Sequence, residues 1–235
     1  MPTDKTSDKS LVAGQKSTGA RGKHVKLKKA RKFSHSSQQW LQRQLNDPYV
    51  AKAKAAGYRS RAAFKLAQMD EKFHLLKPGM RIVDLGCAPG GWTQVALAKT
   101  GARGKVVGCD LLAVDPIPGA TLIVQDFLAD DAPEIMKNLL GGPADLVMSD
   151  MAANTTGHTP TDHIRIMNLC ELAYDFALEV LAPGGGFICK VLKGGTERDL
   201  LKKMQKDFTT VKHAKPEASR KDSAESYVVA TGFRG

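Results

Sequence analysis

Apolar residues in this chain fall into short clusters, and from residue 80 onward the clusters switch between strand-like and helix-like spacing. Runs rich in Val, Ile and Leu predict strands over 80–85, 104–110, 120–125, 144–149 and 186–192, with two more near 208–214 and 225–231. Helices are predicted between them over 91–100, 131–140, 161–181 and 196–206. Three of their starts carry capping residues: Asp131 with Glu134, Thr159 ahead of Pro160, and Thr196 with Asp199. Strands alternating with helices predict an α/β fold, a doubly wound, mostly parallel sheet with helices on both faces.

The first third of the chain reads differently. Residues 1–35 are rich in Lys, Ser, Thr and Gly and poor in apolar groups, so they cannot offset their ordering entropy and should be disordered alone. Ser36 and Gln39 have capping-box spacing before Trp40, Pro48 breaks or restarts that helix, and Ser60 opens another carrying Ala63, Phe64, Leu66, Ala67 and Met69. The expected organisation is a basic extension over 1–35 and one folded domain over 36–235. A length of 235 residues with 42% hydrophobic content supports one sizeable core.

The net charge of +11 is concentrated at one end. Residues 1–65 hold 16 Lys and Arg against 3 Asp, a net +13, whereas residues 66–235 hold 19 against 21 Asp and Glu, a net −2. One-sided basicity of this kind points to a polyanion partner, most often nucleic acid. No apolar run approaches the ~20 residues that a membrane span needs. The N-terminus lacks the apolar core of a secretory signal, and Asp4 and Asp8 fit a mitochondrial transit peptide poorly. Cys87, Cys109, Cys170 and Cys189 show no Cys-x-x-Cys pairing and read as reduced core residues. The histidines form no metal-ligand pattern, and His158 and His163 flank a helix start as solvent-facing or capping groups. Together these features predict a cytoplasmic, monomeric protein with neither metal nor membrane contact.

The densest chemistry lies in Asp84-Leu85-Gly86-Cys87-Ala88-Pro89-Gly90-Gly91-Trp92, a glycine turn between a strand and a helix start. Such a turn lets backbone approach a nucleotide-like ligand at the carboxyl end of a parallel sheet. Ala88 occupies the place of the second glycine of the dinucleotide fingerprint, which argues for a cofactor without a pyrophosphate and against a nicotinamide dehydrogenase. Acids recur at strand ends: Asp84, Asp110, Asp126 and Asp150. In an open α/β sheet those ends line one crevice, so the four carboxylates should converge there. Asp110 is placed for ribose hydroxyls, Asp126 for an adenine amino edge with Phe127 stacking nearby, and Asp150 for the transfer centre.

Taken with Cys109-Asp110-Leu111-Leu112, Gln125-Asp126-Phe127, Ser149-Asp150-Met151-Ala152 and Phe187-Ile188-Cys189-Lys190-Val191, the glycine turn resembles the FtsJ-like RNA ribose 2′-O-methyltransferases. The likeness spans about residues 36–235 and is strongest to bacterial members acting on a uridine of large-subunit (23S-type) ribosomal RNA. It implies a Rossmann-like methyltransferase fold with a seven-stranded sheet, S-adenosylmethionine as cofactor, and ribosomal RNA or the large ribosomal subunit as partner. It also implies a Lys-Asp-Lys-Glu tetrad, matched by Lys65, Asp150, Lys190 and Glu225. Gly90, Trp92, Asp110 and Asp126 would hold the cofactor together with Asp150, although Trp92 taken alone reads as a core aromatic. Arg43, Lys52, Lys54, Arg59 and Arg61 would grip RNA phosphates. Ala153 stands where that family usually has proline, and a slightly looser loop is expected there. A ribose hydroxyl must lose its proton to attack, and a lysine can remove it if burial or a neighbouring cation lowers its pKa. On that argument Lys190 is the candidate base and Lys65 the nearby cation.

Other readings remain: a base N-methyltransferase, which should show an Asn/Asp-Pro-Pro-aromatic turn after the fourth strand; a 2′-O-methyltransferase for tRNA or mitochondrial ribosomal RNA; and a non-catalytic ribosome-assembly factor, against which the complete tetrad argues. The charge split gives a first prediction. Deleting residues 1–33 should weaken RNA or ribosome binding and flatten its dependence on salt, by about 0.7–0.9 in logarithmic slope per lost phosphate contact. The methylated position and the cofactor affinity should not change. Filter binding across a salt series, with mapping of the modified nucleotide, checks both halves.

Overall fold

The computed structural model describes residues 35–153, 156–192 and 197–235. The extension over 1–34 and Thr196 therefore lie outside the described residues, as do the side chains of Ser36 and Gln39. The described chain falls into two compact units. One ends at Asn46 and contains helix α1 (His35–Asn46); the other runs from Asp47 to Gly235.

Within the second unit a helix restarts at Pro48: α2 (Pro48–Ala55) begins on Asp47, whose carboxylate accepts from the Tyr49 amide at 3.0 Å. After α3 (Ala63–Phe73) come β1 (Arg81–Leu85), α4 (Gly91–Thr100), β2 (Lys105–Asp110), β3 (Ala120–Val124), α5 (Ala132–Leu140) and β4 (Ala144–Ser149). Helix α6 (Thr159–Val180), β5 (Leu181–Leu192), α7 (Glu197–Asp207), β6 (Phe208–Ala214) and β7 (Glu225–Phe233) complete the fold. The seven strands form one sheet in the order β3-β2-β1-β4-β5-β7-β6, parallel except for the pairings that β7 makes with β5 and β6. The expected doubly wound architecture is thus the observed one.

Period-two alternation divides the sheet between two cores. Ile82, Val106, Leu146, Met148, Ile188, Tyr227 and Val229 pack with Leu66 and Met69 of α3 and Val95 of α4. Their neighbours in sequence, Val83, Val107, Val147, Phe187, Cys189 and Val228, pack with Met136 of α5, Ala173 and Ala177 of α6 and Met204 of α7. All four cysteines are buried and free, and burial pushes the Cys109 thiol up to about 12, so it stays protonated and serves as packing.

Element boundaries depart from expectation where the turn chemistry is ambiguous. Helix α3 begins at Ala63 rather than Ser60. Strand β5 begins at Leu181, which bridges Ala144 of β4 before Pro183-Gly184-Gly185 interrupts the register. Asp131 occupies the N-cap position of α5 but makes no capping hydrogen bond, and α6 is preceded by His158 rather than capped by Thr159. The ring of His158 instead lies 2.8 Å from the Thr161 hydroxyl. Among the described residues, no helix is long and apolar enough to cross a membrane, and no group of three His, Cys, Asp or Glu is placed to hold a metal ion.

Candidate active site

Strand parity brings the predicted tetrad together. Asp150 follows Met148 by two residues, Lys190 follows Ile188 by two, and Glu225 precedes Tyr227 by two, so all three continue the row that faces α3. Antiparallel pairing sets Lys190 opposite Tyr227 and Leu192 opposite Glu225. From α3, the buried Lys65 reaches into the same space.

The resulting cluster is closely paired. The Lys190 ammonium donates to Asp150 Oδ1 at 2.8 Å and to the Asp150 main-chain oxygen at 2.7 Å, and lies 3.8 Å from Glu225 Oε2. Lys65 Nζ lies 2.8 Å from Glu225 Oε1 and 3.6 Å from Asp150 Oδ2, and donates to the Tyr227 hydroxyl at 2.9 Å. That hydroxyl donates to Asp150 Oδ1 at 2.6 Å. The Ser219 hydroxyl donates to Glu225 Oε1 at 2.8 Å.

Burial acts against every charge in this cluster, and pairing outweighs it. Burial pushes the Asp150 carboxyl up, but Lys190 and Lys65, with hydrogen bonds from Lys190 and Tyr227, hold it below the usual carboxylate range. Glu225 is likewise raised by burial and brought down by Lys65 and Lys190. Burial and the Asp150 and Glu225 charges together drive the Tyr227 phenol far above its ordinary range. For Lys190, burial lowers the pKa, yet the Asp150 and Glu225 carboxylates outweigh burial and raise it. The expected direction is reversed: in the free protein Lys190 is an ammonium, because two carboxylates face it.

Beside this cluster lies a cavity of about 710 Å³ at the carboxyl ends of β1 to β4, where the strand order reverses. Gly86, Ala88, Asp110, Asp126 and Asp150 line it, with Leu111, Leu112, Phe127 and Leu128 as apolar wall and Arg165 and Asn168 contributed by α6. Ala153, in the loop after β4, also lines it. Asp110 accepts from the Ala88 amide through Oδ2 and the Leu112 amide through Oδ1, both at 2.9 Å. Asp126 accepts from the Leu128 amide at 3.0 Å. These bonds fix both carboxylates at the cavity wall.

The expected convergence of four strand-end acids needs correction. Asp84 is not among the lining residues; it is 1% exposed, accepts from the Thr93 hydroxyl of α4 at 2.7 Å, and is raised to about 7, by burial first and by Asp150 and Asp110 next. The Trp92 side chain is also turned away from the cavity. It packs in the α3–α4 core, donates to the Ala62 carbonyl at 2.9 Å and lies 5.7 Å from the Tyr227 ring. Gly90, at φ +107°, caps α4 where a Cβ would meet Ile117 and Arg59, and it too lies off the cavity wall.

The basic candidates divide in the same way. Lys52 lies over the Tyr49 ring at 5.1 Å from its centroid, and Lys52 and Lys54 are exposed on α2. Arg43 belongs to the first unit. Arg61 is instead an internal tie: it pairs with Asp47 and donates to the Ala218 carbonyl. Arg59 donates to the carbonyls of Pro89, Asp115 and Pro116. The expectation that these two arginines grip phosphates is therefore revised, because Arg59 donates to protein carbonyls and Arg61 to the Asp47 carboxylate and the Ala218 carbonyl.

Comparison with known proteins accords with this geometry. Residues 58–233 match the family model of the FtsJ-like methyltransferases. The chain belongs to the FtsJ-like methyltransferase family. It is 64% identical to a Paramagnetospirillum magneticum protein named ribosomal RNA large subunit methyltransferase E, across 92% of this chain and 91% of the relative. A Parvibaculum lavamentivorans protein of the same name is 58% identical across 98% and 94%. Among solved structures, a Plasmodium falciparum chain named for a ribosomal RNA methyltransferase superposes with a TM-score of 0.68 at 30% identity, covering 76% of this chain and all of its own.

In this FtsJ-like methyltransferase, sequence reasoning missed two residues that touch the tetrad, Tyr227 and Ser219. Tyr227 shares strand parity with Glu225 two positions earlier, and that spacing was the available signal. The buried Asp84 yields a prediction about stability. Its folded pKa is raised, so the folded state keeps a proton that the unfolded chain gives up, and stability falls as pH rises from the ordinary 3.8 to about 7. Asp84→Asn removes that dependence. Its unfolding free energy relative to the native chain should rise by about 1.4 kcal/mol per pH unit inside that window and level off above it. Denaturant titrations at a series of pH values measure the difference, and a constant offset would show that Asp84 ionises normally.

Proposed function

We propose that this protein transfers a methyl group from S-adenosylmethionine to the ribose 2′-hydroxyl of a uridine in large-subunit ribosomal RNA. The observation that carries this reading is the position of Asp150, which lines the cavity and at the same time accepts from Lys190 and Tyr227. A donor cofactor and an acceptor hydroxyl would meet at that residue. The names of the relatives support ribosomal RNA as substrate.

The cavity suits the cofactor chemically. Asp110 and Asp126 offer acceptors for ribose hydroxyls and an exocyclic amine, and Phe127, Leu111, Leu112 and Leu128 provide apolar surface for a base. Among the described residues Arg165 is the one basic group lining the cavity, and the Ala88 amide is occupied by Asp110, so that lining does not suit a pyrophosphate. S-adenosylmethionine would supply an electrophilic methyl on a sulfonium whose positive charge opposes a second cation at Lys190.

Lys190 acts as the base once its ammonium has lost a proton, and Asp150 and Glu225 hold its nitrogen and orient the acceptor. Lys65 stays paired with Glu225, and Tyr227 fixes the Asp150 oxygen that faces Lys190. Positioning of this kind contributes ~7–11 kcal/mol to a transfer reaction. Lys52, Lys54 and Arg43 contact RNA phosphates, the 1–35 extension adds affinity, and the protein works as a cytoplasmic monomer on ribosomal RNA or the large subunit.

Radiolabelled transfer from S-adenosylmethionine to total RNA, ribosomal subunits and tRNA, followed by mapping of the modified nucleotide, tests the assignment. Label in tRNA alone, or on a base, would replace it. Because its carboxylate neighbours raise the Lys190 pKa, the neutral fraction at pH 7 is small and grows about tenfold per pH unit on the acid side of that pKa. The single-turnover rate at saturating cofactor should therefore climb from pH 7 toward pH 9. Lys190→Ala should lower transfer by at least the ~100- to 10,000-fold typical of a lost general base, with cofactor affinity nearly unchanged. Near-native turnover by that variant would remove Lys190 from the mechanism.

A further inference from the structure

The segment 57–62, between α2 and α3, is joined along its length to the glycine turn and the first turns of α4. The Arg59 amide donates to Gln94 Oε1 at 2.8 Å, and Gln94 Nε2 donates back to the Gly57 carbonyl at 3.0 Å. Trp92 Nε1 donates to the Ala62 carbonyl, and Gly91 lies so near Ser60 Oγ and the Ala63 amide that no side chain fits between them. Out of this seam the Arg59 guanidinium reaches two loops at once. Its Nη1 donates to the Asp115 carbonyl at 2.6 Å and the Pro89 carbonyl at 3.3 Å, and its Nη2 to the Pro116 carbonyl at 2.8 Å.

Those loops border the cavity, one through Ala88 and the other through Leu111 and Leu112. Ile117, next to the Arg59 acceptors, is buried against the position a Gly90 side chain would occupy. Three carbonyls from two separate segments are thus held by one planar group, a task that suits the forked donors of arginine and that a lysine point charge cannot reproduce.

We propose that Arg59 is a positioning residue that sets the separation of the glycine turn and the 115–117 segment and so fixes the mouth of the cofactor cavity. This rests on the methyltransferase reading above. It also gives Arg59 a different task from Lys52 and Lys54, although all three belong to the same basic stretch.

The test compares Arg59→Lys and Arg59→Ala in the full-length protein by calorimetry with S-adenosylmethionine in the absence of RNA, and by RNA binding across a salt series. A positioning role predicts that both variants weaken cofactor binding by about tenfold or more, the equivalent of one charged hydrogen bond. The KM for cofactor should rise in step while kcat at saturation, the melting temperature and the salt slope stay near native. Cofactor binding by Arg59→Lys as tight as native would overturn the proposal, because preserved charge would then suffice. So would a salt slope reduced by about 0.9 in Arg59→Ala, the mark of one lost phosphate contact. If the native protein itself binds no S-adenosylmethionine, the reading beneath the proposal fails, and native binding with unaffected variants fails the proposal alone.

Discussion

The charge balance around Asp150 is the constraint on which the site depends. Two ammonium groups and two carboxylates sit largely out of water, with Lys65 and Lys190 each near both Asp150 and Glu225. Desolvating one such charge without a partner costs several kcal/mol, so each member depends on an oppositely charged neighbour in the cluster. The four come from α3, the end of β4, the end of β5 and the start of β7, and their mutual need aligns four elements at one end of the central strands. The same balance keeps Lys190 charged in the free protein, so the proposed base is held in reserve rather than permanently active.

Much of the frame was legible because period-two alternation is strict where a strand is buried on both sides. Each of β1, β2, β4 and β5 gives alternate residues to the α3–α4 core and the α5–α7 core. A shift of one residue would send a whole strand to the wrong core, which ties register to composition. Helix starts were less legible. Ser60 has the chemistry of a cap, but the chain there is committed to the seam with α4, so α3 begins three residues later. Pro183-Gly184-Gly185 reads as a boundary, yet Leu181 before it already pairs with β4.

The tetrad was identified from resemblance, and only the geometry explains it: parity puts Asp150, Lys190 and Glu225 on the face that α3 covers. Long side chains were the hard part. A sequence displays the charge of an arginine but not the direction of its donors, so Arg61 bound to Ala218 and Arg59 bound to Pro89 look the same as arginines facing solvent. The sign of the Lys190 shift was hidden for a related reason. Burial and pairing act in opposite directions on a lysine, and which one wins depends on distances that spacing along a chain does not supply.

These internal ties also change what the basic stretch over 41–65 does. Its net charge is +5 by count, but Lys65 is answered by Glu225 and Asp150, and Arg61 by Asp47. Within the second unit, Lys52 and Lys54 stay exposed on α2. Arg59 directs its donors inward, to the carbonyls of Pro89, Asp115 and Pro116. A charge need not touch a phosphate to draw it, because the field of a partly exposed group acts over roughly a Debye length, ~8–10 Å at ordinary salt. Arg59 therefore spends its donors on tying the glycine turn to the 115–117 segment, and the exposed charges of Lys52 and Lys54 are the ones left to act over that distance.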